Sequence, residues 1–165
     1  MSSWRRISLK KSLIAITLLV VLGVMSLRYA EDYVVVNRPI VWHSIDTNLV
    51  TDIKRSKHVW IVNEFYSTET KRISLRWHLE KSTHVRAFKR FAARNNLKFV
   101  DFDISEESEA ATDFVGLLQE CTGYSELRGG IYLLDPLSRR VFEIGSETVA
   151  CEEIIRVVEE FKKDP

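Results

Sequence analysis

Two thiols, four imidazoles and a pair of alternating aspartates are the side chains of this 165-residue chain best suited to chemistry. Cys121 and Cys151 are its only cysteines, with 29 residues between them. That separation is neither a C-x-x-C redox pair nor a metal-ligand pattern. The two could form a structural disulfide, remain as buried free thiols, or serve as a thiol oxidoreductase or peroxidase centre, which requires a thiolate. Cys151 opens a helical stretch, whose N-terminus lowers a thiol pKa, but Glu152 and Glu153 beside it act the other way. His43, His58, His78 and His84 are scattered. His78 and His84 share a region, but no third ligand stands at metal spacing, so no metal is expected. Asp101 and Asp103 alternate along one strand face, as a carboxylate pair would. Acids at a strand end near a helix N-terminus account for them more simply. The RGG at 128–130 lacks the strand-then-helix context of a phosphate loop, and no cofactor is expected.

Whatever chemistry there is must be positioned by about one domain plus an attachment. Apolar residues make up 45% of the chain and aromatic residues 10%, enough to bury a core. The formal net charge of +1 conceals an asymmetry. Four of the 24 basic residues (Arg5, Arg6, Lys10, Lys11) precede residue 28, where there is no acid, leaving 20 against 23 acids in the remainder. A mildly acidic body gives no electrostatic case for nucleic acid. KRFAAR (89–94), the densest basic stretch, reads as a solvated helix face.

The attachment is SLIAITLLVVLGVMSL (12–27), an uncharged apolar run with no polar face. Its 16 residues span about 24 Å as a helix, somewhat less than a hydrocarbon core of about 30 Å. Lys10, Lys11 and Arg28 can snorkel to extend it, and Trp4, Tyr29 and Tyr33 suit the interfaces. Residues 1–11 are then a basic cytoplasmic N-terminus, 12–27 a transmembrane signal-anchor, and 28–38 a membrane-proximal connector. A cleaved signal peptide is the alternative, although Val24 and Ser26 make a mediocre cleavage site and Ala30 has Arg28 two positions before it. Either way the basic flank keeps the N-terminus in the cytoplasm and sends residues 39–165 to the periplasm or the ER lumen, where disulfides persist.

In the body, PIVWH (39–43) reads as a strand and 46–57 as a short helix capped by Asp46 or Thr47. HVWIVNEFY (58–66) is rich in β-branched and aromatic residues, apolar at consecutive positions, and suits a central strand covered on both faces. Residues 70–81 fit a helix or an irregular insert. A helix over 82–96 is capped by Ser82, buries Val85, Phe88, Phe91 and Ala92, and ends at Asn95-Asn96. LKFVDFDI (97–104) is a strand. Residues 106–121 form a helix with an inner face of Ala111, Phe114, Val115 and Leu118. Strands at 129–135 and 139–145 make a hairpin, and 149–163 form a closing helix striped by Ile154, Ile155, Val158 and Phe161. Alternation followed by a hairpin predicts a mixed central sheet with helices on both faces.

That order is similar to the thioredoxin fold. EFYS (64–67) resembles the EFYA that opens the EFYAPWCGHC signature of protein disulfide isomerase domains. VDFDIS (100–105) resembles the family's VDAT-like strand, and ATDFVGLLQECTGYSELRGG (111–130) its second-helix segment ending in GVRGYPT. LLDP followed by RRVFEIGS is similar to its hairpin and the glycine after it. The likeness covers about residues 39–163 and implies a thioredoxin-like three-layer sandwich. Its redox positions are degenerate. Aligned through EFYS, the family's cysteines fall on Thr70 and Ile73; a shifted register puts them on Ser67 and Thr70, and the family's cis-proline falls near Gly130. Hydroxyls cannot perform thiol–disulfide exchange. The resemblance would place Cys121 and Cys151 both toward the redox end.

Three readings follow. The first is a redox-inactive binding or assembly module on a membrane anchor, holding a protein or peptide segment in the groove at the redox end. Thr68, Lys71, Arg72, Trp77, Gly129, Ile131 and Gly145 would form its rim, with Lys71 and Arg72 favouring an acidic partner; ordinary surface is the competing account of the same residues. The second is an enzyme working through Cys121 and Cys151. The third is a structural subunit of a membrane complex held mainly by its anchor.

Overall fold

In a computed structural model, the residues described are 3–65, 79, 81–123, 129–145 and 149–163, with side chains from residue 13 onward. The chain divides into two compact units, Met1–Arg38 and Pro39–Pro165.

The first unit is a single helix, α1 (Ser3–Asn37). Its part Leu13–Asn37 is long and apolar enough to cross a membrane. Every large apolar side chain from Leu13 to Leu27 is exposed, as expected of a helix whose solvent is not water. The helix runs on through residues 28–37, so the stretch expected as a connector continues the rod and supplies the length the apolar run lacks.

The second unit is a five-stranded mixed sheet with helices on both faces. In chain order it comprises β1 (Trp42–Ser44), α2 (Thr47–Arg55), β2 (Trp60–Phe65), α3 (Val85–Arg94), β3 (Lys98–Asp103), α4 (Glu109–Gln119), β4 (Gly130–Asp135), β5 (Arg140–Gly145) and α5 (Cys151–Lys163). The strands lie in the order β1-β3-β2-β4-β5. β1, β3 and β2 are parallel; β4 runs antiparallel to both β2 and β5. The crossovers α2 and α3 permit the parallel pairs, and the four-residue turn after Asp135 permits the antiparallel one.

Burial explains the layering. On β2, Trp60 through Glu64 are all buried, so both faces must be covered. Ile61 belongs to one core with Phe88, Phe99, Leu133, Ile154 and Val158, beneath α3 and α5. Trp60 and Val62 belong to the other with Ile53, Phe102, Phe114, Leu118 and Leu134, beneath α2 and α4. Phe102 and Phe114 meet edge-to-face at 5.1 Å. Leu79 is buried in the first core, although most of the 70–81 stretch lies outside the described residues.

Local chemistry sets the helix boundaries. The Asp46 carboxylate accepts a hydrogen bond from Leu49 N at 2.7 Å and caps α2. The Ser108 hydroxyl accepts from Ala111 N at 3.1 Å and caps α4. Ser82 is not the cap of α3. That position is His84, and the Ser82 hydroxyl accepts from His84 N at 3.1 Å, closing a turn one step before the helix. Asn96 ends α3 in the left-handed region at φ 51°. After α4 the chain runs against the outer edge of β5: Thr122 N donates to Arg139 O at 2.9 Å, and Val141 N donates to Thr122 O at 2.8 Å. Gly123 makes this approach possible. Its φ is 91°, and a Cβ there would be driven into the Val141 carbonyl oxygen.

Replacing Phe114 by Ala empties a fully buried site and is expected to lower unfolding free energy by about 3–5 kcal/mol in denaturant titration. Gly123→Ala is expected to lower it by more than about 1 kcal/mol. Removing the exposed Leu137 side chain is expected to change it by no more than about 0.5 kcal/mol.

Candidate functional site

The sequence places its candidate site where β2 and β3 end and β4 begins. β2 carries Asn63 and Glu64 to that end; they pair across the sheet with Asp101 and Phe102 of β3 and with Ile131 and Gly130 of β4. Phe65 O accepts from Ile104 N at 2.8 Å. Gly130 and Gly145 cross here: a Cβ on Gly130 would lie 3.0 Å from the Gly145 carbonyl oxygen. Two side-chain-free residues thus let β4 and β5 close at the point where the register shifts beside Ile131.

Of the expected rim, Gly129 is half-buried at φ 70°, and Gly145 is half-buried at the end of β5. Ile131 does not present its side chain to the rim. It is 2% exposed and belongs to the core under α3 and α5. Gly130, the position corresponding to the family's proline, is buried. Ser67, Thr68, Thr70, Lys71, Arg72, Ile73 and Trp77 lie outside the described residues.

The charged groups described at this end are chiefly acidic. Asp101 accepts from Asn63 Nδ2 at 2.9 Å. Asp103 accepts from the Ser105 hydroxyl at 2.6 Å. Glu109 opens α4, and Glu152 and Glu153 open α5, where helix dipoles favour them. Sequence reasoning missed Glu64, which is 3% exposed. A carboxyl is rarely taken out of water, and the available signal was its position inside the run HVWIVNEFY. Glu152 also binds His84 Nδ1 at 2.7 Å, joining the first turns of α5 and α3.

The cysteines do not assemble into a centre. Cys151 is 1% exposed in the core beneath α3 and α5; Cys121 is 5% exposed in the core on the opposite face. Both are free. They also sit at opposite ends of the sheet, since Cys121 precedes the Thr122 contact with Arg139 and Val141, whereas Cys151 opens α5 beyond the end of β5. The sheet stands between the thiols, so the disulfide considered for them is not made, and Cys121 is not at the end the resemblance would give it. Burial raises both pKa values. Glu120 adds to the rise at Cys121, whose thiol donates to Leu117 O at 3.2 Å. At Cys151 the Ser82 hydroxyl opposes the rise without reversing it. Neither group is poised as a thiolate nucleophile.

A cavity of about 320 Å³ opens elsewhere, between β5 and α5, against Thr122, Val141, Phe142 and Phe161. Arg140 at its wall is already engaged: its guanidinium lies 4.5 Å over the Phe161 ring and donates to Phe161 O at 3.2 Å. Comparison with models of known protein families and with curated proteins matches nothing.

Because the folded thiols titrate above their ordinary value, the unfolded chain releases those protons first as pH rises. The stability that buried, protonated thiols contribute is present below the ordinary thiol pKa of about 8.5 and is lost above it. The urea midpoint is expected to fall between about pH 8 and about pH 10, and to fall less steeply in a Cys121→Ala/Cys151→Ala variant. Thiol reagents are expected to modify the native chain far more slowly than the unfolded one.

Proposed function

We propose that this chain is a membrane-anchored thioredoxin-like domain that performs no redox chemistry and acts as an extracytoplasmic protein-binding or assembly module. The observation that carries the reading is the strand order β1-β3-β2-β4-β5, with three parallel strands followed by an antiparallel hairpin. That is the arrangement the EFYS and hairpin resemblances imply. In such a fold the function lies at the end where β2 stops and β4 starts. By the resemblance, hydroxyl and aliphatic residues stand at the redox positions. Cys121 lies at the opposite end of the sheet, and Cys151, although it opens α5 near this one, is buried at 1% exposure.

The apolar span of α1 supports the anchor. Arg5, Arg6, Lys10 and Lys11 before it support an N-terminus in the cytoplasm and a body in the periplasm or ER lumen. The partner is an extended protein segment received beside the crossing of Gly130 with Gly145. Backbone pairing supplies affinity in such grooves and side-chain pockets supply specificity. Lys71 and Arg72 are the cations that would meet an acidic segment.

Affinity purification of the full chain from native membranes, with partners identified by mass spectrometry, tests the reading. The triple change Lys71→Ala, Arg72→Ala, Trp77→Ala is expected to reduce a recovered partner at least tenfold while leaving the thermal midpoint unchanged. Undiminished recovery would remove the groove from the account. Recovery lost when only the anchor is exchanged would favour a structural subunit. Insulin reduction abolished by Cys121→Ser/Cys151→Ser would favour an enzyme.

A further inference from the structure

The sheet has a second end, and its chemistry is the reverse of the first. Helices α2 and α3 connect parallel strands, so each must return to the end where strands begin. The other two helices finish there as well. Thr122, just after α4, is bonded to Arg139 and Val141 at the start of β5. Lys162 in the last turn of α5 donates to Asn95 at the end of α3 at 2.9 Å.

Cations collect where the four helices finish. The last turns of α2, α3 and α5 carry Lys54 and Arg55, Arg94, and Lys162 and Lys163. Lys57, Lys98 and Arg139 stand in the adjoining loops and strand start, all exposed. Against them stand Glu120 at the end of α4 and Asp135 at the end of β4. Asp135 is held by its own turn, accepting from Leu137 N and from the Ser138 hydroxyl. Asp52, Glu159 and Glu160 lie about a turn further back, and Glu160 is paired with Arg156 at 3.0 Å. Dipole complementarity explains one or two cations per helix end. It does not explain Lys57 or Lys98, nor the two apolar side chains placed among them: Leu137 at the hairpin tip is 71% exposed, and Val41 just before β1 is 63% exposed.

The attachment point lies at this same end. β1 starts beside Phe99, one residue after Lys98, so the body's chain enters through Pro39–Val41 at the basic pole. Exposed cations around isolated apolar side chains, at the point where a membrane anchor joins, make a surface for anionic headgroups. We propose that this pole docks on the anionic surface of the bilayer that holds α1. Lys54, Lys57 and Lys98 engage lipid phosphates, and Val41 and Leu137 dip into the interface. The proposal rests on reading α1 as an anchor.

The test uses the full chain in lipid nanodiscs, with a fluorophore on Ser138→Cys at the basic pole or on Glu107→Cys at the acidic one, and a headgroup-attached quencher. With phosphatidylglycerol present, quenching is expected to be strong at position 138 and weak at 107. It should fade in pure phosphatidylcholine and in about 1 M salt, where the Debye length is about 3 Å. Each cation near an anionic surface strengthens attachment about fivefold, so Lys54→Gln/Lys57→Gln/Lys98→Gln should weaken the docked state about a hundredfold. Leu137→Ser should weaken it with no change in salt dependence. Co-elution with the discs but equal quenching in both lipids, or stronger quenching at 107, would overturn the docking and leave the anchor intact. A chain that fails to co-elute would overturn both. Tighter binding of polyglutamate than of phosphatidylglycerol vesicles at equal ionic strength would give the pole to an acidic protein instead.

Discussion

β2 has no solvent face. Trp60, Ile61 and Val62 alternate between the two cores, and every residue from Trp60 to Glu64 is buried. Two helical layers are therefore obligatory, since a single layer would leave Ile61 or Val62 in water. With α3 and α5 over one face and α2 and α4 over the other, the centre of the sheet is closed to ligands. Apart from the cavity between β5 and α5, the sheet meets solvent chiefly at its two ends.

The ends differ because parallel strands force their connecting helices to run the same way. Amide dipoles then add rather than cancel, with positive helix termini at one end and negative termini at the other. The side chains answer this field: Glu109, Glu152 and Glu153 lie at helix starts, and Lys54, Arg94, Lys162 and Lys163 at helix finishes. Among the described residues, acids therefore gather at one end and cations at the other. Net charge could not have revealed this, because it sums over direction. The thiols follow the same geometry, one at each end and on opposite faces.

Much of the architecture was legible because burial writes a period into the sequence. The run 58–66 gave β2, and the stripe of Ile154, Val158 and Phe161 gave α5. Asp46 announced its helix by a side chain that can accept from a free amide. Legibility failed where two local solutions have similar energies. Ser82 and His84 could each begin α3, and the choice fell to a turn that the hydroxyl closes on itself. It failed again at Cys121 and Cys151, because separation along a chain carries no record of which face of a sheet a residue will occupy. Val157 and Leu117 escaped the expected stripes because each lies beside the apolar line rather than on it, yet packing buries both. At the candidate site, the two glycines were legible as positions but not as neighbours. Their approach depends on a register shift that no local pattern encodes.

The contact of Thr122 with β5 carries one more consequence. A sheet of this order has two outer strands, and an outer strand exposes a row of amides and carbonyls that another chain can join. On one side the row is short, because β1 has only three residues. On the other, Thr122 occupies the Arg139 carbonyl and the Val141 amide with its own backbone. On the proposed reading of α1 as an anchor, the protein is confined to two dimensions, where copies meet far more often than they would in bulk solution. A domain with blunted borders can be crowded along a membrane without its sheets fusing into a ribbon.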